Sequence, residues 1–252
     1  MIIPGFENSR ITRLYILDFG LFQVHSDDRV IGICGFLLET GDGKRLLIDT
    51  GFPAAYATDG TQAAEADGLG SFGHLLQLDA HNLARGQLAR LGLDPHDLDL
   101  LILTHSHIDH IGCIGEFVHL PIWLAEAERA LPRPLYFGSR RPMEWPVADY
   151  HLVTKDSQLC PGLRAFVVPG HAPGQLAFLI DLPITGAVLL TGDAISRPAE
   201  IAEGFAGSWD VDQAKASAAR LLQLAAEHRA MVIYGHGPEQ WPTLRKAPAC
   251  YE

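Results

Sequence analysis

The sequence predicts an α/β fold built as a single domain over residues 1–252. Short apolar runs bounded by glycine or proline occur in both halves of the chain, and helical patterns follow them. No internal repeat or low-complexity linker divides the sequence. Because strands are followed by helices in both halves, we expect two packed sheets. With 48% apolar residues, a chain of this length can bury a full core.

The first predicted elements are three antiparallel strands. Apolar runs cover residues 11–17 and 30–39, and a Gly-Asp-Gly turn at 41–43 connects the second run to a third over residues 45–49. Glycine and aspartate are residues that tight hairpin turns favour. An N-terminal sheet is therefore expected.

The next segment leads from an irregular region to a buried strand. Residues 52–80 are rich in glycine, alanine and polar side chains without a sustained period, which predicts a long irregular insertion over the surface. Leucines recur at helical spacing over residues 83–91, and a continuous apolar run over 98–103 is typical of a buried strand. The other predicted elements are a strand at 122–124, a short helix at 126–130, a loop at 132–146, strands at 163–168, 175–181, 187–191 and 231–234, and an amphipathic helix that begins at Asp210 with Gln213 three residues on.

Composition and charge exclude several classes of partner. The formal net charge of -11 and the pI near 5.5 argue against nucleic acid, because such binding normally needs a basic patch. No apolar run reaches the roughly 18 residues of a membrane span and no signal-peptide pattern opens the chain, so we expect a cytoplasmic protein without a membrane partner. The 4 cysteines stand far apart and are expected to be free thiols. A neutral or weakly polar small molecule is the expected substrate.

Four potential metal ligands stand within six positions directly after the predicted strand at 98–103: His105, His107, Asp109 and His110. On an extended segment, residues i and i+2 point to the same side, so His105 and His107 can bind one ion. The turn that follows directs Asp109 and His110 towards a second ion. Imidazoles favour zinc or a similar metal over calcium, which prefers oxygen ligands. The density of ligands therefore predicts a metal site.

Three further ligand candidates follow the ends of later predicted strands: His171, Asp193 and His236. Each has glycine as a direct neighbour. Glycine lets the backbone bend closely around an ion. An isolated histidine is usually a surface or hydrogen-bonded core residue, but this shared setting favours a common role as ligands.

The order of these seven residues resembles the metallo-β-lactamase superfamily, whose pattern is His-x-His-x-Asp-His followed by a distant His, an Asp and a final His. The resemblance implies an α/β fold of the four-layer αββα sandwich type with two bound metal ions. The implied ligands of the first ion are His105, His107 and His171. The implied ligands of the second ion are Asp109, His110 and His236, and Asp193 would bridge the two.

A second match to the superfamily lies at residues 47–51, which read Leu-Ile-Asp-Thr-Gly like its Asp-Thr-Gly strand end. The resemblance implies that Asp49 orients one of the ligand histidines, and the capping of a turn is the alternative role. Two divalent ions make hydroxide available near neutral pH and polarise a carbonyl oxygen. The expected reaction is therefore attack of a metal-bridging hydroxide on an ester, lactone, amide or thioester, with Asp109 as a proton shuttle.

Within the superfamily the chain is similar to the N-acyl homoserine lactonases, which open quorum-sensing lactones. The segment at 234–241 resembles that family's Gly-His-x-x-Glu-Gln ending, and the spacing of the last four ligands is also similar. The resemblance implies a quorum-quenching lactonase. Two positions depart from the family: Ser196 stands where a tyrosine commonly contacts the lactone carbonyl, and Gly237 stands where aspartate is frequent. We expect Ser196, or a donor from residues 136–145, to contact the carbonyl.

Other interpretations share the same ligands. They are a lactonase of the pyridoxolactone or γ-butyrolactone type, a β-lactam hydrolase, a thioesterase of the glyoxalase II kind, and a binding protein without activity. Zinc is the expected metal, with cobalt, manganese and iron as alternatives, since such sites accept all four. The resemblance and the insertion at 52–80 favour a homodimer.

Overall fold

The computed structural model describes residues 2–252, so residue 1 of the predicted domain lies outside the described residues. Within that range the strands, numbered in chain order, are β1 Ile11–Val24, β2 Val30–Thr40, β3 Arg45–Ile48, β4 Gly73–Gln77, β5 Leu100–Ile102, β6 Ile122–Ala125, β7 Tyr150–Val153, β8 Ser157–Cys160, β9 Leu163–Val167, β10 Leu176–Leu182, β11 Gly186–Leu190 and β12 Met231–Ile233. The α-helices are α1 Ala55–Thr58, α2 Gly60–Asp67, α3 Ala84–Arg90, α4 Ile108–Ile111, α5 Glu126–Arg129, α6 Pro198–Glu203 and α7 Val211–His228.

These strands form two sheets. The larger sheet has the order β4-β1-β2-β3-β5-β6-β7, and the smaller has the order β12-β11-β10-β9-β8. Strands β1 to β3 pair antiparallel, as the sequence predicts, whereas β3, β5, β6 and β7 run parallel. In the smaller sheet only β11 and β12 are parallel. The parallel strands bring their carboxyl ends to the same edge of each sheet.

Alternating apolar side chains explain why the two sheets stack. In β2, Phe36 and Leu38 belong to the core between the sheets, whereas Leu37 belongs to the core on the outer face of the larger sheet. In β10, Phe178 belongs to the central core and Leu179 to the outer core that includes residues of α7. A strand with both faces apolar must be covered on both sides. The result is the predicted αββα sandwich.

Helix α7 covers the outer face of the smaller sheet and begins where the sequence predicts. The Asp210 carboxylate accepts a hydrogen bond from the backbone N–H of Gln213 at 3.0 Å, which satisfies a donor of the first turn. Ala214, Ala218 and Leu221 are buried at helical spacing. The cap and the apolar stripe together fix the position of this helix.

The prediction of an irregular insertion over residues 52–80 is wrong in part. Helices α1 and α2 lie there, and β4 pairs antiparallel with the second half of β1. The sequence pattern does not reveal this pairing because the first apolar run ends at 17, yet β1 continues to Val24 through a bulge and Gly20, which adopts φ +108°. Strands β7 and β8 are also absent from the predicted elements, since short partly polar strands carry little periodic signal.

The predicted loop at 132–146 contains no helix or strand of the described chain. A single bridge joins Tyr136 to His107 and holds the loop beside the ligand candidates. Across residues 2–252, none of the helices combines the length and the apolar character that crossing a membrane requires.

Candidate metal centre

The ligand candidates lie where strands end. His105 and His107 follow β5, and the one-turn helix α4 carries Asp109 and His110. His171 lies in the turn between β9 and β10. Asp193 and His236 follow β11 and β12, which are parallel and adjacent, so their carboxyl ends deliver both residues to one edge of the smaller sheet.

All seven candidates predicted from the sequence come together in three overlapping groups, within each of which the potential ligand atoms lie within 4.8 Å of one another. The groups are His105, His107 and His171; His105, His110 and Asp193; and Asp109, His110 and His236. His105 belongs to two of these groups, and so does His110. The arrangement is two adjoining metal-sized sites. We call His105, His107 and His171 the first group, and Asp109, His110 and His236 the second group, with Asp193 beside both.

The first group consists of three imidazoles. Nε2 of His105 and Nε2 of His171 each lie 2.9 Å from Nδ1 of His107. The single lone pair of a ring nitrogen cannot accept two N–H groups well. A cation placed among three lone pairs would satisfy all three nitrogens at once, as zinc does in three-histidine sites.

The second group mixes imidazole and carboxylate. Nε2 of His236 lies 3.3 Å from Oδ2 of Asp109 and 3.2 Å from Oδ2 of Asp193. Nε2 of His110 lies 3.5 Å from Oδ2 of Asp109 and 3.7 Å from Oδ1 of Asp193. Asp193 Oδ2 is also 3.5 Å from Nε2 of His171, so this carboxylate faces both groups.

Neighbouring acceptors fix the orientation of two of these rings. Nδ1 of His110 donates to Oδ2 of Asp49 at 2.8 Å, and Nδ1 of His236 donates to the carbonyl of Gly32 at 3.0 Å. Since Nδ1 carries the proton in each ring, Nε2 is left as the ligand atom facing the other candidates. Thr104 donates to Asp49 through its backbone N–H at 2.8 Å and its hydroxyl at 2.7 Å, which holds that carboxylate in place. Asp49 therefore has the orienting contact predicted for it.

Two unpaired atoms test whether this donor set fits a metal. Nε2 of His110 and Oδ1 of Asp193 are buried and have no hydrogen-bond partner within residues 2–252. Buried polar atoms are nearly always paired, because leaving one unpaired costs about 1–3 kcal/mol. Both atoms face the shared space between the groups, and a divalent cation there would satisfy them. The residues present fit two metal ions.

The first group is electrostatically prepared as a set of neutral ligands. Burial lowers the pKa of His105 well below its ordinary value and lowers that of His107 to about 3. Burial also lowers the pKa of His171. Neutral imidazoles keep the lone pairs that bind metals, so no proton competes at these rings near neutral pH.

The second group has the opposite balance. Burial opposes the charged form of His110, but the carboxylates of Asp109, Asp49 and Asp193 outweigh it and raise the pKa to about 9. Burial also opposes the charged form of His236, but the carboxylates, chiefly that of Asp193, outweigh it and raise the pKa well above its ordinary value. Burial alone would raise the pKa of Asp109, yet His110 and His236 lower it to about 2. The carboxylates are therefore ionised, and a cation bound in this group would take the place of the protons on His110 and His236.

Two of the glycines next to the ligand candidates show why no larger residue fits there. A Cβ at Gly235 would lie 2.4 Å from Oδ1 of Asp193, and a Cβ at Gly170 would lie 2.3 Å from the backbone of Ala214. Contacts this short do not occur between real atoms, so larger residues would displace the adjoining ligand loops. The glycines bring the two loops close to the ligands and to α7.

A pocket of about 470 Å³ opens above the ligand candidates. Its size suits a small organic molecule. His107, Asp109, His171, Asp193 and His236 form its floor, and Ser196 and Glu200 are polar residues of its wall. The apolar part of the wall includes Phe22, Ile31, Ile33, Phe52, Leu69, Phe72, Leu135 and Phe137. The segments at 52–80 and 132–146 both contribute to this wall.

Ser196, the other predicted catalytic residue, is partly buried in this wall. Its backbone N–H donates to Oε2 of Glu200 at 2.8 Å, and its carbonyl accepts from the backbone N–H of His236 at 2.7 Å. Its hydroxyl makes no hydrogen bond within the described chain. The structure thus places Ser196 beside the second ligand group with its hydroxyl unused.

Sequence reasoning missed Glu128, which supports the first group from beneath. This fully buried carboxylate accepts from the backbone N–H of Ser106 at 2.9 Å, from the Ser106 hydroxyl, and from the backbone N–H of Gly174 at 3.0 Å. It thereby ties the loop of His105 and His107 to the loop of His171. A glutamate in the first turn of a short helix gives no sequence signal that it points inwards.

Comparison with known protein families decides the relationship. The family model described as the metallo-beta-lactamase superfamily matches residues 34–236, which include all seven ligand candidates. The chain belongs to this superfamily. The predicted resemblance and fold class are therefore confirmed.

Among similar members of the superfamily are N-acyl homoserine lactonases. The lactonase of Bacillus thuringiensis is 32% identical over 222 residues, which cover 84% of each chain. The lactonase AttM of Agrobacterium fabrum is 29% identical over 267 residues and covers 93% of this chain and 99% of its own. A solved structure of an N-acyl homoserine lactone hydrolase, with the product N-hexanoyl-L-homoserine bound at its catalytic metal centre, has a TM-score of 0.79 at 26% identity and covers 96% of this chain and 100% of that one.

Proposed function

We propose that this protein is a metal-dependent hydrolase that opens the lactone ring of N-acyl-L-homoserine lactones and so acts as a quorum-quenching enzyme. The observation that carries the proposal is the pair of adjoining His/Asp groups on the floor of an apolar-walled pocket. The two relatives are N-acyl homoserine lactonases, and the chain is similar to them over most of their length. This similarity supports the same reaction. The polar lactone ring of such a substrate would lie over the His/Asp floor, and its acyl chain would lie along the apolar wall.

The proposed metal ligands follow the three groups. His105, His107 and His171 would hold one ion, Asp109, His110 and His236 the other, and Asp193 would bridge them. We propose zinc, because three neutral imidazoles and a site mixing imidazole with carboxylate suit that ion. When bound, two divalent ions supply an activated water and polarise the carbonyl of the substrate.

The remaining chemistry belongs to side chains of this protein. Asp109 lies on the pocket floor with 16% of its side chain exposed, so Oδ1 and Oδ2 can face both His236 and a substrate. We propose that Asp109 takes up a proton from the attacking water and passes it to the alcohol oxygen that leaves the ring carbon. The hydroxyl of Ser196 donates to the carbonyl oxygen of the substrate, and the apolar wall excludes water from the rest of the pocket.

The test is hydrolysis of a panel by metal-loaded protein. The panel contains homoserine lactones with short and long acyl chains, γ-butyrolactone, pyridoxolactone, a chromogenic β-lactam and a glutathione thioester. We expect about two equivalents of metal per chain, turnover of the homoserine lactones, and loss of turnover on chelation. His171→Ala should lose metal and activity, whereas the exposed His228→Ala should retain both.

Other outcomes would separate the alternatives. Turnover of the β-lactam or thioester without the lactones would keep the metal site and overturn the substrate. Metal binding without turnover of any compound would favour a binding protein. Binding of fewer than two equivalents would contradict the dinuclear site.

We further propose that residues 1–252 act as one domain, in the cytoplasm, as a homodimer. The support is the sequence pattern and the resemblance described at the start. Light scattering on the purified protein tests the dimer, since a mass near twice the 27.5 kDa of the chain is expected. A mass equal to that of one chain would contradict it.

A further inference from the structure

The polar groups of the pocket wall differ in whether they already have partners. Arg197 directs both terminal nitrogens at Glu203, with Nη1 2.8 Å from Oε1. Arg29 directs Nη1 at both oxygens of Asp27, each at 2.7 Å. These cations are therefore neutralised by neighbours and are poor candidates for binding a substrate.

Glu200 differs from them because one of its oxygens is unused. Oε2 accepts from the backbone N–H of Ser196 at 2.8 Å, and Oε1 accepts no hydrogen bond from residues 2–252. The carboxylate forms no ion pair with Arg197 or any other described cation. Its side chain is only partly exposed and lines the pocket. A carboxylate that lines a pocket and has one oxygen outside any hydrogen bond is an acceptor available to a substrate donor.

The backbone of Ser196 connects the Glu200 carboxylate to the metal-ligand candidates. The Ser196 carbonyl accepts from the backbone N–H of His236, while the Ser196 N–H holds Glu200. Glu200 is therefore connected through one residue to the second ligand group, on the same side of the pocket as Asp193. A donor on the substrate close to the reacting carbon would come within its reach.

An N-acyl homoserine lactone carries one such donor. Its amide N–H is attached to the ring carbon next to the lactone carbonyl, whereas simple γ-lactones and ester analogues have no hydrogen-bond donor there. An ionised carboxylate accepts hydrogen bonds and offers none. The pocket wall thus presents a hydrogen-bond acceptor, the Glu200 carboxylate, for the amide N–H that distinguishes this substrate from other lactones.

We propose that Glu200 is a specificity-determining residue, whose Oε1 accepts a hydrogen bond from the amide N–H of the substrate and so selects N-acyl lactones over lactones without that amide. The inference rests on the proposed lactonase function and adds the basis of its selectivity. Hydrogen bonds to charged groups are strong enough that loss of this one should change selectivity by about ten- to a hundredfold.

The experiment compares two substrates that differ in one group. One is N-hexanoyl homoserine lactone, and the other is the ester in which oxygen replaces the amide N–H. Both are hydrolysed by metal-loaded wild type, Glu200→Gln and Glu227→Gln. In Glu200→Gln the side-chain carbonyl can still accept from the Ser196 N–H, but the amide group then presents donors to the substrate N–H. Glu227→Gln removes the same charge at an exposed residue outside the pocket and serves as the control.

We expect Glu200→Gln to lower kcat/KM for the amide relative to the ester by about tenfold or more, chiefly through KM. Glu227→Gln should leave the ratio of the two substrates unchanged. Calorimetric titration with the product N-hexanoyl homoserine should show weaker binding to Glu200→Gln, with metal content unchanged. Glu200→Asp, which keeps the carboxylate on a shorter side chain, should recover part of the selectivity and serves if Glu200→Gln does not fold.

The possible outcomes distinguish the role of Glu200 in specificity from the proposed lactonase function. Wild-type hydrolysis of the lactones with an unchanged amide-to-ester ratio in Glu200→Gln overturns the inference alone. Equal losses on both substrates would mean that Glu200 acts only by holding Ser196, and also overturn it. Failure of the wild type to open either lactone overturns the proposed function and the inference together.

Discussion

The floor and the wall of the pocket are held in different ways. On the floor, His110 is held by Asp49, His236 by a backbone carbonyl, and the two ligand loops by the buried Glu128. In the wall, Phe72 and Phe137 come from loops, and their rings contact each other with centroids 5.7 Å apart. The floor is fixed by short hydrogen bonds to buried groups, whereas the wall is fixed by apolar contacts that can be exchanged. From this difference we expect chemistry to depend on the floor and substrate choice on the wall.

The largest effect is expected at Asp49, which is the support of the floor closest to a metal ligand. Asn at this position tolerates the left-handed backbone, φ 64°, as Asp does. Its amide group, however, cannot accept from the Thr104 N–H, the Thr104 hydroxyl and the His110 Nδ1–H together, so the support of the His110 ring is weakened. Asp49→Asn should weaken metal binding by about 10–100-fold. Titration with a competing chelator measures this, and unchanged affinity would mean that Asp49 only caps the turn.

A comparable change beneath the first group is Glu128→Gln. The amide of Gln can accept from Ser106 but cannot accept from the Gly174 N–H, which is left buried and unpaired. We expect a loss of about 1–3 kcal/mol in the free energy of unfolding and reduced occupancy of the three-histidine group. Urea unfolding and metal analysis check both. Glu126→Gln, exposed on the same short helix, is the control and should alter neither.

A smaller effect is expected in the wall, at Phe72. Its ring contacts those of Phe22 and Phe137 and lines the pocket. Phe72→Ala should raise KM for long-chain lactones by about three- to tenfold and leave short-chain lactones and kcat nearly unchanged, since aromatic contacts contribute about 0.5–1.5 kcal/mol. Ile184→Ala, at an exposed apolar residue between β10 and β11, should change none of these values. An equal loss of kcat for all chain lengths would mean that Phe72 affects the reaction itself and not the choice of acyl chain.

The smallest effect is expected away from both regions, at the start of α7. The backbone N–H and side chain of Gln213 lower the pKa of Asp210 in the folded protein. A lowered pKa stabilises the fold above the pKa of the unfolded chain and loses that contribution as the pH falls through the folded value. Asp210→Asn keeps the cap without the charge, so its Tm should be slightly lower than wild type at pH 7, and the difference should shrink as the pH falls through the lowered pKa of Asp210. A constant difference across that range would contradict the role of the charge.

The sequence predicts the floor better than the wall, for a physical reason. Each ligand candidate stands after an apolar run, and the order of the ligand types along the chain matches the superfamily pattern. His105 and His236 can therefore be assigned to one site from their positions along the chain, although their strands belong to different sheets. The groups that orient them cannot, because a backbone carbonyl such as that of Gly32 has no signature in sequence.

The wall shows the same limit more strongly. The segment at 52–80 folds against β1 only because β1 continues past Gly20, which no local pattern indicates. In sequence Glu200 is an ordinary helix residue, and its position in the pocket depends on a hydrogen bond to Ser196. Side chains whose roles depend on contacts between distant segments stay outside what periodicity and spacing can predict.

The hydrogen bond from His236 to Gly32 joins residues 204 positions apart. The three histidines of the first group, in contrast, are all present once synthesis passes residue 171. During synthesis from the N-terminus, the chain therefore carries a complete three-histidine group for some time before His236 emerges. The second group is complete only when β12 has joined the smaller sheet and the two sheets have packed against each other. Completion of this ligand group is in this way coupled to completion of the fold.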